Sequence, residues 1–269
     1  MSRTSALSYC LIVLVVAAAD RCALAQHAGG PNASDAVVPI SSDLCQDMRT
    51  RKVMNPGAPV GCERQRLVKF GHVGFDGRTH PGALVVLDAV ADRVLQIFAA
   101  LRSRGFPVAS AKLMNEYLGD DDASMDANNT SSLNVRAVAG SGRISMHAYG
   151  LAIDLNPVHN PYVDRAKTPP EVSPKAGSAY LVRNRRPGMA EAVVDLFADH
   201  GFTVWGGLWP SPDYQHFQIS RSIAATLAQL SPGEAQALFE QRVAAYRACL
   251  AASAQTADAR RSCAAADTR

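Results

Sequence analysis

The sequence has little net charge, no second long apolar run and no closely spaced cysteine pair, and each absence excludes a class of protein. The formal net charge at pH 7 is +3, which argues against a dedicated nucleic-acid binder. Beyond the N-terminal apolar run, no stretch is long enough to span a membrane. Because the chain has no C-x-x-C pair, a zinc site built from cysteines is not expected.

The first 25 residues have the organisation of a secretory signal peptide. Arg3 supplies a positive charge, an apolar run follows over residues 6–19, and a small-residue A-x-A site ends at Ala25. The apolar run is shorter than the roughly 20 residues that span a bilayer, which favours cleavage over membrane anchoring. We therefore expect an exported chain, periplasmic or secreted, that begins at Gln26 and keeps no membrane span.

Four cysteines remain after the predicted cleavage, namely Cys45, Cys62, Cys249 and Cys263. They allow three pairings, and the sequence does not choose among them rigorously. Neighbouring pairs close the shortest loops, so we favour Cys45–Cys62 and Cys249–Cys263, each stabilising by about 3 kcal/mol in the chain-entropy model. Both bonds suit the oxidising compartment that the leader implies.

Alternating residues over 151–156 predict a short strand with a carboxylate on one face. Three aliphatic side chains would face the core, whereas Asp154 lies on the opposite face beside the small Ala152. The other expected elements are a strand and turn over 67–77, core helices over 82–104 and 189–200, and strands over 111–117 and 202–205.

Two clusters of residue types that commonly bind metals lie in the second half of the chain. His147 precedes the strand and would meet Asp154 across a glycine-containing turn. The second cluster holds both tryptophans of the chain together with Asp213 and His216. Two His and one Asp as ligands, with a separate carboxylate as base, are the parts of a hydrolytic zinc site that keeps a position for water.

These clusters carry a resemblance to a known family. The sequence resembles the zinc peptidases that comprise D-alanyl-D-alanine carboxypeptidases and L-alanyl-D-glutamate peptidases, whose fold is shared with hedgehog signalling domains. The family pattern Ser-x-His-x-x-Gly-x-Ala-x-Asp, followed later by an acidic residue three before a His, is met by Ser145, His147, Gly150, Ala152, Asp154, Asp213 and His216. The resemblance covers roughly residues 66–220 and extends through the acidic loop to Arg136.

The resemblance implies an α+β fold in which an antiparallel sheet carries one Zn²⁺ and helices pack on its other face. It implies His147, Asp154 and His216 as the ligands and Asp213 as the general base. The implied substrate is the peptide stem of bacterial peptidoglycan, cut as by a D-Ala-D-Ala carboxypeptidase or an L-Ala-D-Glu endopeptidase. The alternative is a non-catalytic module on the same fold that binds the cell wall or a protein.

Two further residues receive roles from the resemblance. Arg136 would hold a substrate carboxylate or the oxyanion of the attacked carbonyl. A salt bridge to the acidic loop is the alternative role for Arg136, and Arg143 is the rival candidate for the substrate contact. Ser145 would bind and orient the substrate, or orient a ligand.

The predicted organisation is a signal peptide (1–25), an N-terminal extension (26–65), a zinc peptidase domain (66–220) and a helical C-terminal tail (221–269). Small and polar residues over 26–40 indicate a segment without regular structure. The proline-rich stretch 157–187 is typical of a cleft wall or lid. Ser231-Pro-Gly-Glu234 is a capping box that begins a tail helix.

Two other polar groups are weaker metal candidates. The acidic loop over 119–132 could bind calcium, but it lacks the EF-hand spacing with a closing Glu. His72 and His80 have no carboxylate partner at a useful spacing in the sequence, so surface or hydrogen-bonded roles are favoured for both.

Overall fold

The computed structural model describes residues 35–138, 141–254 and 256–267, so the predicted signal peptide lies outside the described residues. The strands are β1 (Ala36–Pro39), β2 (Gln65–Val73), β3 (Thr79–Leu87), β4 (Ala152–Asp154), β5 (Tyr162–Asp164), β6 (Glu171–Ser173), β7 (Val204–Trp205) and β8 (His216–Gln218). The helices are α1 (Ser42–Thr50), α2 (Ala91–Ser103), α3 (Asp121–Asp126), α4 (Val194–Asp199), α5 (Arg221–Gln229), α6 (Pro232–Ala251) and α7 (Ala257–Asp267).

The first sheet is antiparallel, with its strands in the order β1-β2-β3. A tight turn joins β2 to β3, and its Gly77 has a φ of 74°. β1 pairs with β2 at residues 36–39, which corrects our expectation that this segment lacks regular structure. Buried Asp35 accepts a hydrogen bond from Arg102 of α2 at 2.8 Å, which ties the start of β1 to the core.

The predicted helix over 82–104 is wrong in its first part. Residues up to Leu87 belong to β3, a 3-10 turn follows over Asp88–Val90, and α2 begins at Ala91. The run Ala83–Leu87 is apolar at every position and contains two valines, so it suits a strand that is buried on both faces. Helical spacing alone does not distinguish such a run from a buried helix.

Two further predicted elements differ from the structure. Residues 111–117, expected as a strand, run extended and then form a 3-10 turn over Met114–Tyr117. In place of one helix over 189–200, a 3-10 turn over Ala190–Ala192 leads into α4, and Gly201 follows α4 with a φ of 92°. The predicted strands over 67–77 and 202–205 are confirmed as β2 and β7.

The second sheet is antiparallel in the order β4-β8-β7, so β8 lies in the middle. Phe197 of α4 stacks on Phe217 of β8 with ring centroids 4.0 Å apart. α2 packs instead on the first sheet, where Phe98 stacks on Phe70 at 3.8 Å. The α+β class with antiparallel sheets is confirmed, but the two core helices cover different sheets rather than one face of a single sheet.

Arg183 anchors the long stretch 157–187, which also contains the small hairpin β5–β6. Its guanidinium donates to both carboxylate oxygens of Glu191 at 2.6 Å and to the side chain of Asn160 at 2.8 Å. It also lies 4.3 Å above the ring of Tyr214. These contacts hold the stretch against the segment that leads into β8.

The C-terminal helices pack into the same core as the sheets. Leu227 of α5 and Phe239 of α6 are buried in the cluster that contains Phe217. Arg64 donates to three carbonyl groups at the end of α5 and forms an ion pair with Asp88 at 2.7 Å. The predicted capping box before α6 is confirmed, while the proposed domain limits stay predictions.

Both favoured disulfides are confirmed. Cys45 of α1 is bonded to Cys62, and Cys249 of α6 is bonded to Cys263 of α7. The second bond closes a helical hairpin, which is the arrangement expected for the tail. Among the residues that the structure describes, no helix is both long and apolar enough to cross a bilayer.

Candidate metal centre

A 3-10 turn over Met146–Tyr149 positions His147. Ser145 caps this turn, because its hydroxyl oxygen accepts from the His147 N–H at 3.2 Å, and this contact supports the ligand-orienting role for Ser145. Gly150 ends the turn with a φ of 70°, and a Cβ there would lie 2.7 Å from the main-chain nitrogen of Leu87. The left-handed conformation and the close approach together require glycine at this position.

β4 and β8 bring the other two ligand candidates together. Asp154 lies directly opposite His216 in the antiparallel pair, and its Oδ1 is 3.0 Å from His216 Nδ1. His147 Nε2 is 3.1 Å from Asp154 Oδ2 and 3.2 Å from His216 Nδ1. The structure therefore brings together the three side chains that the two motifs predicted as ligands; we call them the trio.

Hydrogen bonds on the far side of each imidazole decide which nitrogen faces the trio. His147 Nδ1 donates to the carbonyl oxygen of Ser132 at 2.7 Å, and His216 Nε2 donates to Gln218 Oε1 at 2.9 Å. Each neutral ring then directs an unprotonated nitrogen toward the Asp154 carboxylate. When both rings are neutral, three electron-pair acceptors face one another, an arrangement that a bound cation stabilises, and metal-binding histidines are oriented in this way.

The spacing of the three acceptor atoms suits a small tetrahedral metal ion. Two nitrogen ligands, each about 2.0–2.1 Å from zinc, lie roughly 3.3–3.4 Å apart in tetrahedral geometry. The two ring nitrogens lie 3.2 Å apart, close to this value, and Asp154 offers a different oxygen to each ring, at 3.0 and 3.1 Å. One ligand atom from each of the three residues lies within 4.8 Å of the other two. All three residues are buried. In the part of the chain that the structure describes, the trio is the one group of three or more His, Cys, Asp or Glu side chains placed to hold a metal.

Burial and neighbouring charges shift the pKa values of Asp154 and His216 in opposite directions. Burial alone would raise the pKa of Asp154, but His147 and His216 outweigh it and lower the pKa below its usual range. Burial would lower the pKa of His216, but the carboxylates of Asp154 and Asp213 raise it overall. The Asp154 carboxylate therefore stays ionised and supplies the negative charge that a divalent cation requires.

Asp213 lies beside the trio, and its pKa is shifted in the opposite direction from that of Asp154. It precedes β8, and its main-chain N–H donates to the carbonyl oxygen of Gly206 at 3.0 Å. Burial raises the pKa of Asp213 to about 6, and the negative charge of Asp154 adds to the shift. Its Oδ1 is buried and has no hydrogen-bond partner among the described residues. A carboxyl with these properties is suited to exchange protons near neutral pH.

Gly206 lets Asp213 and His216 pack closely against the end of β7. A Cβ on Gly206 would lie 2.6 Å from the carbonyl oxygen of Asp213 and 3.2 Å from the Cβ of His216. A side chain at this position would therefore displace the segment that carries both residues. Trp209, which is partly exposed, lies against the His216 ring with centroids 5.3 Å apart.

Arg136 is near the trio through its backbone, but its side chain is ion-paired. Its carbonyl oxygen accepts from the N–H of Ser145 at 3.1 Å, and its Nη2 lies 2.5 Å from Asp121 Oδ2. The salt bridge considered as the alternative role is thus present, although Arg136 Nε has no hydrogen-bond partner among the described residues. Arg143 is exposed. The substrate contact of Arg136 stays a prediction.

The weaker metal candidates have other partners. In the acidic stretch, Asp120 caps α3 by accepting from the N–H of Ala123 at 3.0 Å. His80 Nε2 lies 2.9 Å from Asp76 Oδ1, so our statement that His80 lacks a carboxylate partner is wrong. The turn between β2 and β3 folds the Asp76 side chain back onto His80, which a spacing argument did not anticipate.

Sequence reasoning missed three contributors to the site: Gln218, Gly206 and the carbonyl group of Ser132. Gln218 stands two residues after His216, and the period of a strand places both side chains on one face, so a usable signal was present. Gly206 directly follows Trp205, one of the two tryptophans of the second cluster, and its residue type alone gave it no role. The Ser132 carbonyl has no sequence signal, since every residue carries a carbonyl group.

The buried trio could hold one metal ion, and together with the neighbouring carboxyl of Asp213 it forms a residue set of the type that metal-dependent hydrolases use. The comparison with protein families agrees with this class. Residues 139–219 match the family model described as D-alanyl-D-alanine carboxypeptidase. The matched segment contains the whole trio and Asp213, and it confirms the resemblance predicted from the two motifs. No curated protein and no solved structure matches the chain.

Proposed function

We propose that the chain is an exported zinc-dependent peptidase that cuts the peptide stems of bacterial peptidoglycan. One observation carries the proposal: three buried ligand atoms converge next to a buried carboxyl oxygen of Asp213 that has no partner. A structural metal site has no need of a second, proton-exchanging carboxyl at its side. The family match over residues 139–219 supports the peptidase class.

His147 Nε2, an oxygen of Asp154 and His216 Nδ1 are the atoms proposed to hold the metal. Two imidazole nitrogens and one carboxylate oxygen are a ligand set that zinc accepts, and three protein ligands leave one position for water or substrate. When bound, zinc lowers the pKa of water and polarises the carbonyl group that is attacked. Ser132 and Gln218 keep the two rings turned toward this position.

Asp213 is proposed as the general base and then as the general acid. With a pKa raised to about 6, its carboxyl is largely ionised at neutral pH and can accept the proton of the attacking water. It then returns this proton to the leaving amine, which completes the hydrolysis of the amide bond. The oxygen without a partner is available for this exchange, because no protein donor competes for it.

Arg136 is proposed to bind a substrate carboxylate or the oxyanion. A guanidinium carries a fixed charge and several N–H donors, so it can keep Asp121 as a partner while it donates to a ligand. Charge-assisted hydrogen bonds of this kind are the strong ones in a site with little water.

The two disulfides support the proposed location, because such bonds persist in oxidising compartments outside the cytoplasm. They agree with the signal peptide expected over residues 1–25. Both a D-Ala-D-Ala carboxypeptidase and an L-Ala-D-Glu endopeptidase are consistent with the site, and the mass of the product distinguishes the two reactions.

Digestion of purified muropeptides, followed by mass spectrometry, tests the proposal. Wild type should release either terminal D-alanine or a stem shortened at the L-Ala-D-Glu bond. Asp213→Asn should keep its zinc and its fold while turnover falls by at least about 10²-fold. Asp43→Asn, an exposed position on α1, is the matched control and should keep full activity. If wild type binds wall fragments and releases no product, the non-catalytic binding module is the correct function.

A further inference from the structure

We propose that Gln218 is a positioning residue that keeps the ring proton of His216 on Nε2, so that Nδ1 stays free for the metal. This inference rests on the metal site proposed above. Gln218 acts through His216: its amide is buried, and its Oε1 accepts from His216 Nε2 at 2.9 Å.

The second sheet places Gln218 where it can reach the imidazole. Gln218 follows His216 by two residues in β8, and alternate residues of a strand share a face. It lies opposite Ala152 of β4 on one side and Val204 of β7 on the other. The short side chain of Ala152 leaves space for the amide to lie along the strand toward His216.

The orientation of the amide is fixed by a second contact. Gln218 Nε2 donates to the carbonyl oxygen of Ile219 at 3.3 Å, which leaves Oε1 to face His216. A ring with its proton on Nε2 satisfies this oxygen. The opposite tautomer would set two acceptors against each other at 2.9 Å in a buried place, which is unfavourable.

The opposite tautomer, with its proton on Nδ1, has a hydrogen-bond acceptor on the other side of the ring. Asp154 Oδ1 lies 3.0 Å from His216 Nδ1, so without Gln218 the proton can move to Nδ1 and bond to this carboxylate. That bond would occupy an electron pair on each of two prospective ligands. His147 is protected differently, because its Nδ1 donates to a main-chain carbonyl group that no substitution removes.

A glutamine at this position also limits how strongly His216 binds the metal. A neutral amide oxygen accepts a weaker hydrogen bond than a carboxylate does. A carboxylate partner makes a metal-binding imidazole more basic and hence a stronger ligand. Gln218→Glu should therefore bind zinc more tightly than wild type, whereas Gln218→Leu should bind it more weakly. If Gln218 only filled space, both substitutions would change the zinc affinity in the same direction, because each of them disturbs the packing.

Competition with a chromophoric chelator measures the zinc dissociation constant of wild type and of both variants. We expect Gln218→Leu to weaken zinc binding by about 10- to 100-fold and Gln218→Glu to strengthen it by about tenfold. Nitrogen NMR of the metal-free proteins, recorded at alkaline pH where the ring of His216 is neutral, reports the tautomer directly. The proton of His216 should lie on Nε2 in wild type and on Nδ1 in Gln218→Leu.

Asn115→Leu is the matched control, because Asn115 also has a buried side-chain amide but donates to Asp47 Oδ2 at 2.7 Å. It should change the zinc dissociation constant by less than about threefold, since it contacts no prospective ligand side chain. Thermal melting of each metal-free variant checks the fold, and Gln218→Met replaces Gln218→Leu if the leucine variant does not fold.

Three results would overturn the proposal. The first is a Gln218→Leu protein that binds zinc as wild type does. The second is a shift of the leucine and glutamate variants in the same direction. The third is equal weakening by Asn115→Leu. Failure of the proposed function is distinguishable, because a wild type that binds zinc but cleaves no muropeptide contradicts the peptidase and leaves the effect of Gln218 on zinc affinity intact.

Discussion

Asp154 and His216 are direct partners across the β4–β8 pair, and their side chains meet at 3.0 Å on one face of the sheet. A slip of this register by one residue would turn one of the two side chains to the opposite face. Main-chain hydrogen bonds of a central strand therefore hold two of the three ligand candidates. His147 joins them from a capped turn whose end is fixed by Gly150.

Zinc should stabilise the folded protein, because the trio is assembled only in the native state. We expect about one zinc per chain, and a stabilisation of about 4 kcal/mol when free zinc exceeds its dissociation constant 1,000-fold. A chelator should lower the melting temperature by removing this contribution. Elemental analysis and thermal melting, with and without chelator, measure the two quantities.

The ligand assignment is checked by a double variant, His147→Ala with His216→Ala. This protein should lose its zinc and should no longer respond to the chelator. His80→Ala is the control, because His80 lies in the first sheet and pairs with Asp76. Retention of one zinc per chain by the double variant would show that the metal is held by other residues.

Asp213 should destabilise the metal-free protein at neutral pH. Burial and the charge of Asp154 raise its pKa from 3.8 to about 6 in the folded state. The folded state thus binds the proton more tightly than the unfolded chain, so stability falls as pH rises from about 4 to 6 and stays lower above that range. Asp213→Asn should gain on the order of 3 kcal/mol at pH 7 and well under about 1 kcal/mol near pH 4.

Denaturant unfolding of metal-free wild type and Asp213→Asn at the two pH values measures this difference. Added zinc should reduce the gain at pH 7, because the cation offsets the repulsion between the two carboxylates. An equal gain at both pH values contradicts a raised pKa for Asp213.

Gly206→Ala should damage the site although it adds a single methyl group. The new Cβ would lie 2.6 Å from the carbonyl oxygen of Asp213, so the segment from Asp213 to His216 must shift. We expect a loss of about 1–3 kcal/mol in stability, together with weaker zinc binding and lower turnover. Gly142→Ala is the control, because a Cβ there would meet no atom within 4 Å. If the two variants have similar stability, zinc binding and turnover, the backbone around Gly206 accommodates the methyl group without displacing Asp213 or His216.

Arg136→Ala should lower turnover by about 10²- to 10³-fold while zinc stays bound, because one charge-assisted contact to the substrate is lost. Asp121→Asn removes the ion pair but keeps the guanidinium, so it should have a much smaller effect on turnover. Steady-state kinetics and metal content separate these outcomes. If Asp121→Asn costs as much as Arg136→Ala, the arginine acts through its ion pair. If Arg143→Ala shows the loss instead, Arg143 holds the substrate.

Spacing within the sequence predicted that His147 and Asp154 meet across a turn, and it favoured the two disulfide pairs that formed; the resemblance implied His216 as the third ligand. His147 and Asp154 stand on either side of a turn that only Gly150 permits, and strand alternation separates Asp154 from the aliphatic residues around it. Cysteines that are near in the chain pair at the lowest entropic cost, as Cys249 and Cys263 do. The turn between His147 and Asp154 and the two short disulfide loops depend on neighbours in the chain, so the sequence determined them by itself, whereas His216 joins the trio only through the pairing of β4 with β8.

Only the tertiary structure decided the features that depend on competition between distant segments. The run Ala83–Leu87 suits a helix or a strand. It forms part of β3 because β2 pairs with it through main-chain hydrogen bonds along its whole length. Asp121 reaches Arg136 because α3 folds beside the segment that leads to His147, and no spacing rule specifies that approach. Gln218 acquires its role only when β8 packs between β4 and β7, since burial excludes water and leaves His216 a single acceptor on that side.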